Sequence, residues 1–565
     1  MAKSMNDILP LELIRKILVS IDEVENFWLW GKNRFLPRRS YCTTALVCRR
    51  WKEISNQLIM RVIDLRSVCQ GSRDPEMREA KMEACLAALD RDENGASSVW
   101  TLRFLGDSND QKDLPLEFGQ AVIDRCTNLR SLLWWDVIGV EHPRFRFPAL
   151  PFLQNLSVTN SSRFRPFYLS TLLPNLGSSS GSLHVARLRG TLRFDLPMAA
   201  LFSSLSYLYV GHNDVPSEII ETIGSDLTTL RNFYLALKNT PVNFVTRFTA
   251  QATSLHVTHL RLECLHELAW SGLADVTNLL AKALLDLRVT VTESVQQQRL
   301  MVPFGHLPRL KTFMFDFSEG KHNMNDKCRL FKMFPLISKS LELRKLHLIS
   351  MSFGTELAKG YHPLEHLQEV TLWHCSFVDE FFLSFLPSTP LRSLVLKTNA
   401  GEDSPATARK CRDAIEQLVN RQLIPHIFDL GVVFPSPTST ITKIVCSVTN
   451  QLTHFPELKL RLSDSATWYE PEMYDILKST TSRTEHLVID LSEYSWCGKP
   501  VSDTDTFLDT ISMTFEEATE AIMPCLKTLT VYGPSGVWRR ESESVIRLRN
   551  ALADRGIKFG RYLEQ

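Results

Sequence analysis

"LSYLYVGHN", residues 205–213, alternates apolar positions along a short run. A strand sends successive side chains to opposite faces, so Leu208 and Val210 share one face while Tyr207 and Tyr209 share the other. Asn213 falls where the chain leaves the strand, placed to satisfy backbone groups that no ladder reaches. One such segment cannot bury its own apolar face. It needs neighbours of the same kind.

The neighbours are present. "LQEVTLWHC" (367–375) and "LRSLVLKTN" (391–399) repeat the phrase in full. Incomplete copies occur at 129–137, 153–161, 230–238, 257–265, 343–351 and 526–534, with weaker echoes at 310–317 and 486–492. Between fourth positions the step is 24 residues from Leu132 to Leu156, 25 from Leu208 to Phe233 and 27 from Phe233 to Leu260. It is 24 from Leu346 to Val370 and again from Val370 to Leu394. The phrase L-x-x-L-x-L-x-x-N/C at this period resembles the leucine-rich repeat. The resemblance implies an α/β fold, an irregular solenoid with a parallel sheet on its concave face and helices such as 406–424 outside it. The 53-residue step from Leu260 to Phe313 breaks the register and implies degenerate units or insertions. "FPSPTSTITK" (434–443) reads as a surface loop, with a more degenerate array after about residue 430.

The first sixty residues follow another pattern. "DILPLELIRKILVSI" (7–21) places Pro10 at a helix start and then stripes Leu13, Ile14, Ile17, Leu18 and Ile21 along one face. "ALVCRRWKEIS" (45–55) repeats the amphipathic logic with Val47, Trp51 and Ile54. At roughly 1.5–3 kcal/mol per large aliphatic side chain buried, so much apolar surface on two short helices calls for a partner. Leu-Pro-x-Glu-Leu-Ile-x-x-Ile-Leu (Leu9 to Leu18) followed by Leu-Val-Cys-Arg-x-Trp (Leu46 to Trp51) resembles the F-box of ubiquitin-ligase substrate receptors. The residues between the blocks, about 22–43, are longer than the usual link and read as an inserted loop.

By that resemblance, Leu9, Pro10, Leu13, Ile14, Ile17, Leu18, Leu46, Val47 and Trp51 would dock a Skp-type adaptor and, through it, a cullin and a RING subunit. The expected organisation is an F-box over 1–60, a helical linker over 61–98 and a leucine-rich-repeat-like domain over 99–565. An unidentified protein substrate would then meet the outward positions of the repeat strands. Aromatic and arginine side chains dominate binding hot spots, which singles out Tyr209, Tyr234, Arg261, His347 and Trp373. A repeat scaffold with no ubiquitin role is the alternative.

Composition narrows the remaining classes. The 565-residue chain carries 64 lysines and arginines against 63 aspartates and glutamates, which gives no electrostatic case for nucleic acid or an anionic membrane. Its 12 cysteines form no C-x-x-C pair or zinc spacing, so reduced thiols, no metal and no cofactor are expected. No signal pattern, spanning apolar run or lipidation box appears, pointing to an intracellular protein, cytoplasmic or nuclear or both. "GSSSG" (177–181) matches G-x-S-x-G with Ser179 in the nucleophile position, but the flanking residues lack the strand-to-helix elbow that a serine hydrolase requires. A connector is the simpler reading, and the chain is expected to perform no catalysis.

Overall fold

The computed structural model describes residues 61–65, 68, 74–90, 96–105, 116–135, 148–160, 167–168, 182–190, 192–193, 204–211, 229–237, 256–264, 277–291, 307–316, 328–329, 340–349, 351–352, 363–373, 386–397, 416–431, 456–461, 484–490, 508–509, 511–513, 515–516, 525–533 and 542–563. The whole N-terminal double block, the 22–43 insertion, Ser179 and the 434–443 loop lie outside these residues. The chain divides into two compact units, 1–257 and 258–565.

In the first unit the ladder consists of β1 (Val62–Asp64), β2 (Thr101–Leu105), β3 (Ser131–Trp135), β4 (Asn155–Asn160), β6 (Val185–Gly190), β8 (Tyr207–Gly211) and β9 (Asn232–Leu237). Every neighbouring pair is parallel. The short strands β5 (Phe167–Tyr168) and β7 (Leu192–Arg193) form a separate two-stranded parallel sheet. Ile63, Leu102, Leu132, Leu156, Ala186, Leu208 and Phe233 form one unbroken inward row, all of them buried. Phe104, Trp134, Val158, Leu188 and Val210 form a second buried row. Within that row Phe104 stacks on Trp134 with ring centroids 4.8 Å apart.

The second unit repeats the scheme with β10 (His259–Cys264), β11 (Asp286–Val291), β12 (Thr312–Asp316), β14 (Lys345–Ile349), β16 (Glu369–Trp373), β17 (Ser393–Lys397), β18 (Ile427–Gly431), β19 (Glu457–Arg461), β20 (His486–Asp490), β21 (Thr528–Gly533) and β22 (Lys558–Leu563). All of these pair in parallel, in sequence order. The two-residue strands β13 (Cys328–Arg329) and β15 (Met351–Ser352) pair apart from them. Leu260, Leu287, Phe313, Leu346, Val370, Leu394, Phe428, Leu458, Leu487 and Leu529 are buried in its inward row. The repeat body is therefore a parallel β-solenoid.

Two strands occupy places where the sequence suggested gaps. β11 divides the Leu260-to-Phe313 step at Leu287 into 27 and 26 residues, so no unit is missing there. β6 lies just beyond the Gly/Ser run, with Ala186 in the place of the fourth leucine. The ladder also opens at Val62, and the helix α1 (Pro75–Asp90) follows that first strand.

Backbone chemistry closes each coil. At most strand entries one carbonyl accepts N–H bonds from two successive residues of the next coil, using both of its lone pairs. Arg130 O serves Gln154 and Asn155, His184 O serves Ser206 and Tyr207, and Arg344 O serves Gln368 and Glu369. In the first unit a hydroxyl adds a third link. Ser182 donates to Leu153 O (2.9 Å), Ser204 to Leu183 O (2.9 Å) and Thr229 to Leu205 O (2.7 Å). Each of these hydroxyls immediately precedes the first apolar position of its phrase.

Helices are few among the described residues. α1 starts on a proline, and Asp74 Oδ1 accepts from Glu76 N (3.1 Å) to cap it. α1 is mostly solvated, and of its side chains only Leu89 is buried. α2 (Leu116–Arg125) buries Phe118, Val122 and Ile123 on one face. Arg125 Nε ties the two helices together through Asp90 at 2.7 Å. α3 (Glu543–Ala553), capped by Ser542, buries Val545, Leu548 and Leu552 and packs near β22. Of the proposed outer helix 406–424, the described part is helical over 416–420.

Candidate interaction surface

The face of each sheet opposite the core carries the side chains that alternate with the buried rows. In the first unit the register places Arg187 beside Tyr209, and Tyr209 beside Tyr234. The two tyrosine rings tilt together with centroids 4.3 Å apart. Two residues earlier on the same face, the Tyr207 ring lies 5.4 Å from the Arg187 guanidinium, within cation–π range. Gly211 makes room for this cluster, because a Cβ there would stand 2.5 Å from the Tyr209 hydroxyl and 2.6 Å from its ring edge. Farther along, at the strand entries, Trp100 is sandwiched between the guanidinium groups of Arg61 (3.8 Å) and Arg130 (4.0 Å).

The second unit presents a different surface. Arg261, Arg288, Met314 and His347 occupy one outward register row. Arg288 forks onto Asp286 at 3.0 and 3.1 Å, and Lys345 Nζ reaches Glu369 at 2.8 Å. His347 lies among these charges. Its burial pulls the imidazole below the ordinary value, while Glu369 pulls it up and Arg288 pulls it down. Trp373 is half-buried at the end of β16, on the same face as Thr371. A groove of about 760 Å³ opens at the strand-entry edge of β16 to β19, lined by Glu365, His366, Arg392, His426, Pro425 and Pro456 among others. There Glu365 accepts from the backbone N–H (3.2 Å) and hydroxyl (2.7 Å) of Ser388, and these bonds hold its carboxyl below the usual carboxylate range.

All five residues singled out on the repeat strands stand at outward positions. The structure brings Tyr209 and Tyr234 into contact in the first unit. Arg261, His347 and Trp373 lie on separate strands of the second unit, and Arg261 and His347 share a register row. Sequence reasoning missed Arg187, Arg288 and Asp286, because the strands that carry them went unrecognised. The signal was present in "LLDLRVTV" (284–291), where Leu284, Leu287 and Val289 keep the L-x-x-L-x-apolar spacing.

Among the described residues, no three His, Cys, Asp or Glu side chains are grouped to hold a metal ion. No helix among them is long and apolar enough to cross a membrane. Cys85, Cys126 and Cys525 form no disulfide, and burial pushes Cys126 up to about 12, far from a reactive thiolate. Beyond the Gly/Ser run that holds Ser179, the chain enters the strand β6 and not a helix. A scan against protein-family models and a search of curated proteins each find no match to this chain.

Proposed function

We propose that this chain is the non-catalytic substrate receptor of a Skp–cullin–F-box ubiquitin ligase, with a leucine-rich-repeat body. The observation that carries the reading is the pair of N-terminal blocks, Leu9 to Leu18 and Leu46 to Trp51, which resemble the F-box in order, residue type and spacing within each block, with a longer link between them. The apolar side chains of Leu13, Ile17 and Trp51 are the anchors on the adaptor. The parallel solenoid, with its row of polar and aromatic outward side chains, supplies the surface for a protein substrate. The receptor itself makes and breaks no bond. It contributes proximity and orientation to a transfer performed by other subunits.

The test is co-purification of the Skp-type adaptor with the full chain and with Ile17→Asp/Trp51→Ala. Central anchors of this kind cost about 2 kcal/mol or more each, so the double variant loses the adaptor while the repeat body keeps its melting transition. Adaptor binding unchanged by the double variant, or no adaptor with the unaltered chain, leaves a repeat scaffold without a ubiquitin role.

A further inference from the structure

The groove at the strand-entry edge of β16 to β19 gathers donors from three successive coils. Gln368, Arg392 and His426 each stand one residue before a strand, ahead of β16, β17 and β18. The backbone holds them in line, since Gln368 O accepts from Arg392 N (2.8 Å) and Arg392 O accepts from Ile427 N (3.0 Å). Neighbouring strands lie ~4.8 Å apart, so the three positions span about 10 Å. All three residues are exposed and line the groove of about 760 Å³. Among the described residues the Arg392 guanidinium has no hydrogen-bond or ion-pair partner. Of the described carboxylates nearby, Glu365 accepts both bonds from Ser388, Glu369 takes Lys345 and Glu485 takes Lys527 at 2.6 Å. Glu457 opens β19, past Pro456.

The geometry points to this groove as a binding site for a phosphate monoester group, with Arg392 gripping two of its oxygens and Gln368 and His426 each donating one N–H from the flanking coils. Such a group carries about −1.5 to −2 charge at neutral pH and three strong acceptor oxygens. The planar guanidinium fork takes two oxygens together, a geometry that an ammonium group does not supply. A side-chain amide and a neutral imidazole each add a donor for what remains. Donors arriving from three coils surround a tetrahedral group, whereas a planar carboxylate is satisfied by the arginine alone. Prolines stiffen the frame, since Pro425 immediately precedes His426 and Pro390 stands two residues before Arg392, each with its φ locked. The inference does not depend on the receptor reading, because a free monoester and a phosphorylated side chain of a partner present the same chemistry.

The extent of the groove favours one group over a phosphate track. Past His426 the row of strand-entry residues runs to Pro456, which has no N–H, and then to Glu485, held by Lys527. On the other side Arg344 and Lys311 continue the row outside the groove lining, so a phosphodiester strand along them is the rival to be tested. The net charge of +1 gives the chain no long-range field for such a polyanion.

Fluorescence anisotropy on the full chain provides the test, with four fluorescein-labelled probes. The first is a short peptide of glycine, alanine and serine carrying one phosphoserine. The second lacks the phosphate, the third has glutamate in its place, and the fourth is a single-stranded DNA of the same length. The phosphopeptide should bind at least about tenfold more tightly than each of the other three, a difference of ~1.4 kcal/mol. Arg392→Gln should remove the preference with the thermal melt unchanged, because the side chain is exposed. Should that variant melt early, His426→Ala should still weaken the phosphopeptide severalfold and spare the unphosphorylated one. Arg309→Gln removes the same charge from an exposed turn outside the groove and should change nothing. Competition then names the source: displacement by O-phosphoserine alone, at concentrations close to those of unlabelled phosphopeptide, indicates a small free monoester, and displacement by phosphopeptide only indicates a phosphorylated partner. Equal binding of the three peptides, no detectable binding of any, tighter binding of the DNA, a preference that survives both groove substitutions, or an equal loss in Arg309→Gln overturns the inference. Adaptor binding, measured on the same samples, keeps the two readings apart. Adaptor retained without phosphopeptide preference sinks the groove alone, and the preference retained without adaptor sinks the ubiquitin-ligase reading alone.

Discussion

Gly190 and Gly211 show how differently two strand-end glycines constrain the chain. Gly190 has φ +95° and lies so close to the Asn160 carbonyl that a Cβ has no place, with rigid backbone on the other side of the contact. Gly211 instead faces the outer end of the Tyr209 ring, a side chain and not backbone. Gly190→Ala should therefore destabilise the first unit clearly, by more than about 1 kcal/mol, since strained backbone and a backbone clash add. Gly211→Ala should leave stability nearly unchanged but part the Tyr209–Tyr234 pair, visible in tyrosine fluorescence or near-ultraviolet dichroism. Urea titration of the two variants separates these outcomes, and equal losses would contradict the assignment. His347 gives a second residue-scale expectation. Burial lowers its folded value below the ordinary 6.5, so the unfolded chain binds more protons in the window between the two values. Its contribution to stability is complete above the unfolded value and is lost as pH falls from about 6.5 through the lowered value. His347→Gln should flatten that part of the stability-versus-pH curve, and an unchanged slope would assign the dependence to other groups.

At the scale of the strand, inward and outward positions separate cleanly. Leu208 and Leu394 are 1% and 0% exposed, whereas Tyr209 and Val395, one residue on, reach the open face. Leu208→Asp and Leu394→Asp would each put an unpaired charge into a dry row and should abolish or severely broaden the thermal transition. Tyr209→Asp and Val395→Asp should melt close to the unaltered chain. Equal sensitivity would reject the alternation. The same alternation made much of the body legible from sequence, since Leu132, Leu156, Leu208, Phe233, Leu260, Leu346, Val370 and Leu394 were all placed at fourth positions and all are buried. Strands escaped where the phrase varied without ceasing to function. Ala186 still faces inward between Leu156 and Leu208, and Phe428 fills the place of a leucine after Leu394. What a parallel ladder requires is an apolar side chain of tolerable size and a paired backbone, and a search for leucine is narrower than that. The hydroxyl links from Ser182, Ser204 and Thr229 were illegible for another reason, since small polar residues before a leucine are common and only the stacked coil supplies the acceptor.

For the molecule as a whole, a receptor of the proposed kind would divide its tasks between separate stretches of chain. On the proposed reading the N-terminal blocks would provide attachment, and each unit of the solenoid would offer its own outward face, with arginine and tyrosine on the first and interleaved charges on the second. Such a division suits a receptor, because adaptor binding and substrate choice vary independently when they rest on different residues. The parallel solenoid was readable from sequence through the spacing of its phrases, while the N-terminal blocks lie outside the described residues. The open-face chemistry was readable only in part, because Arg187 and Arg288 become neighbours of Tyr209 and Arg261 through register between distant segments. The central claim is that residues 1–60 bind a Skp-type adaptor. Calorimetric titration of purified adaptor into the full chain, and into the chain lacking those residues, tests it most directly. The expected result is saturable one-to-one binding by the full chain and none by the truncated one, with the same solenoid melting transition in both; no heat of binding with the full chain, or equal binding by the two, would contradict adaptor docking by residues 1–60.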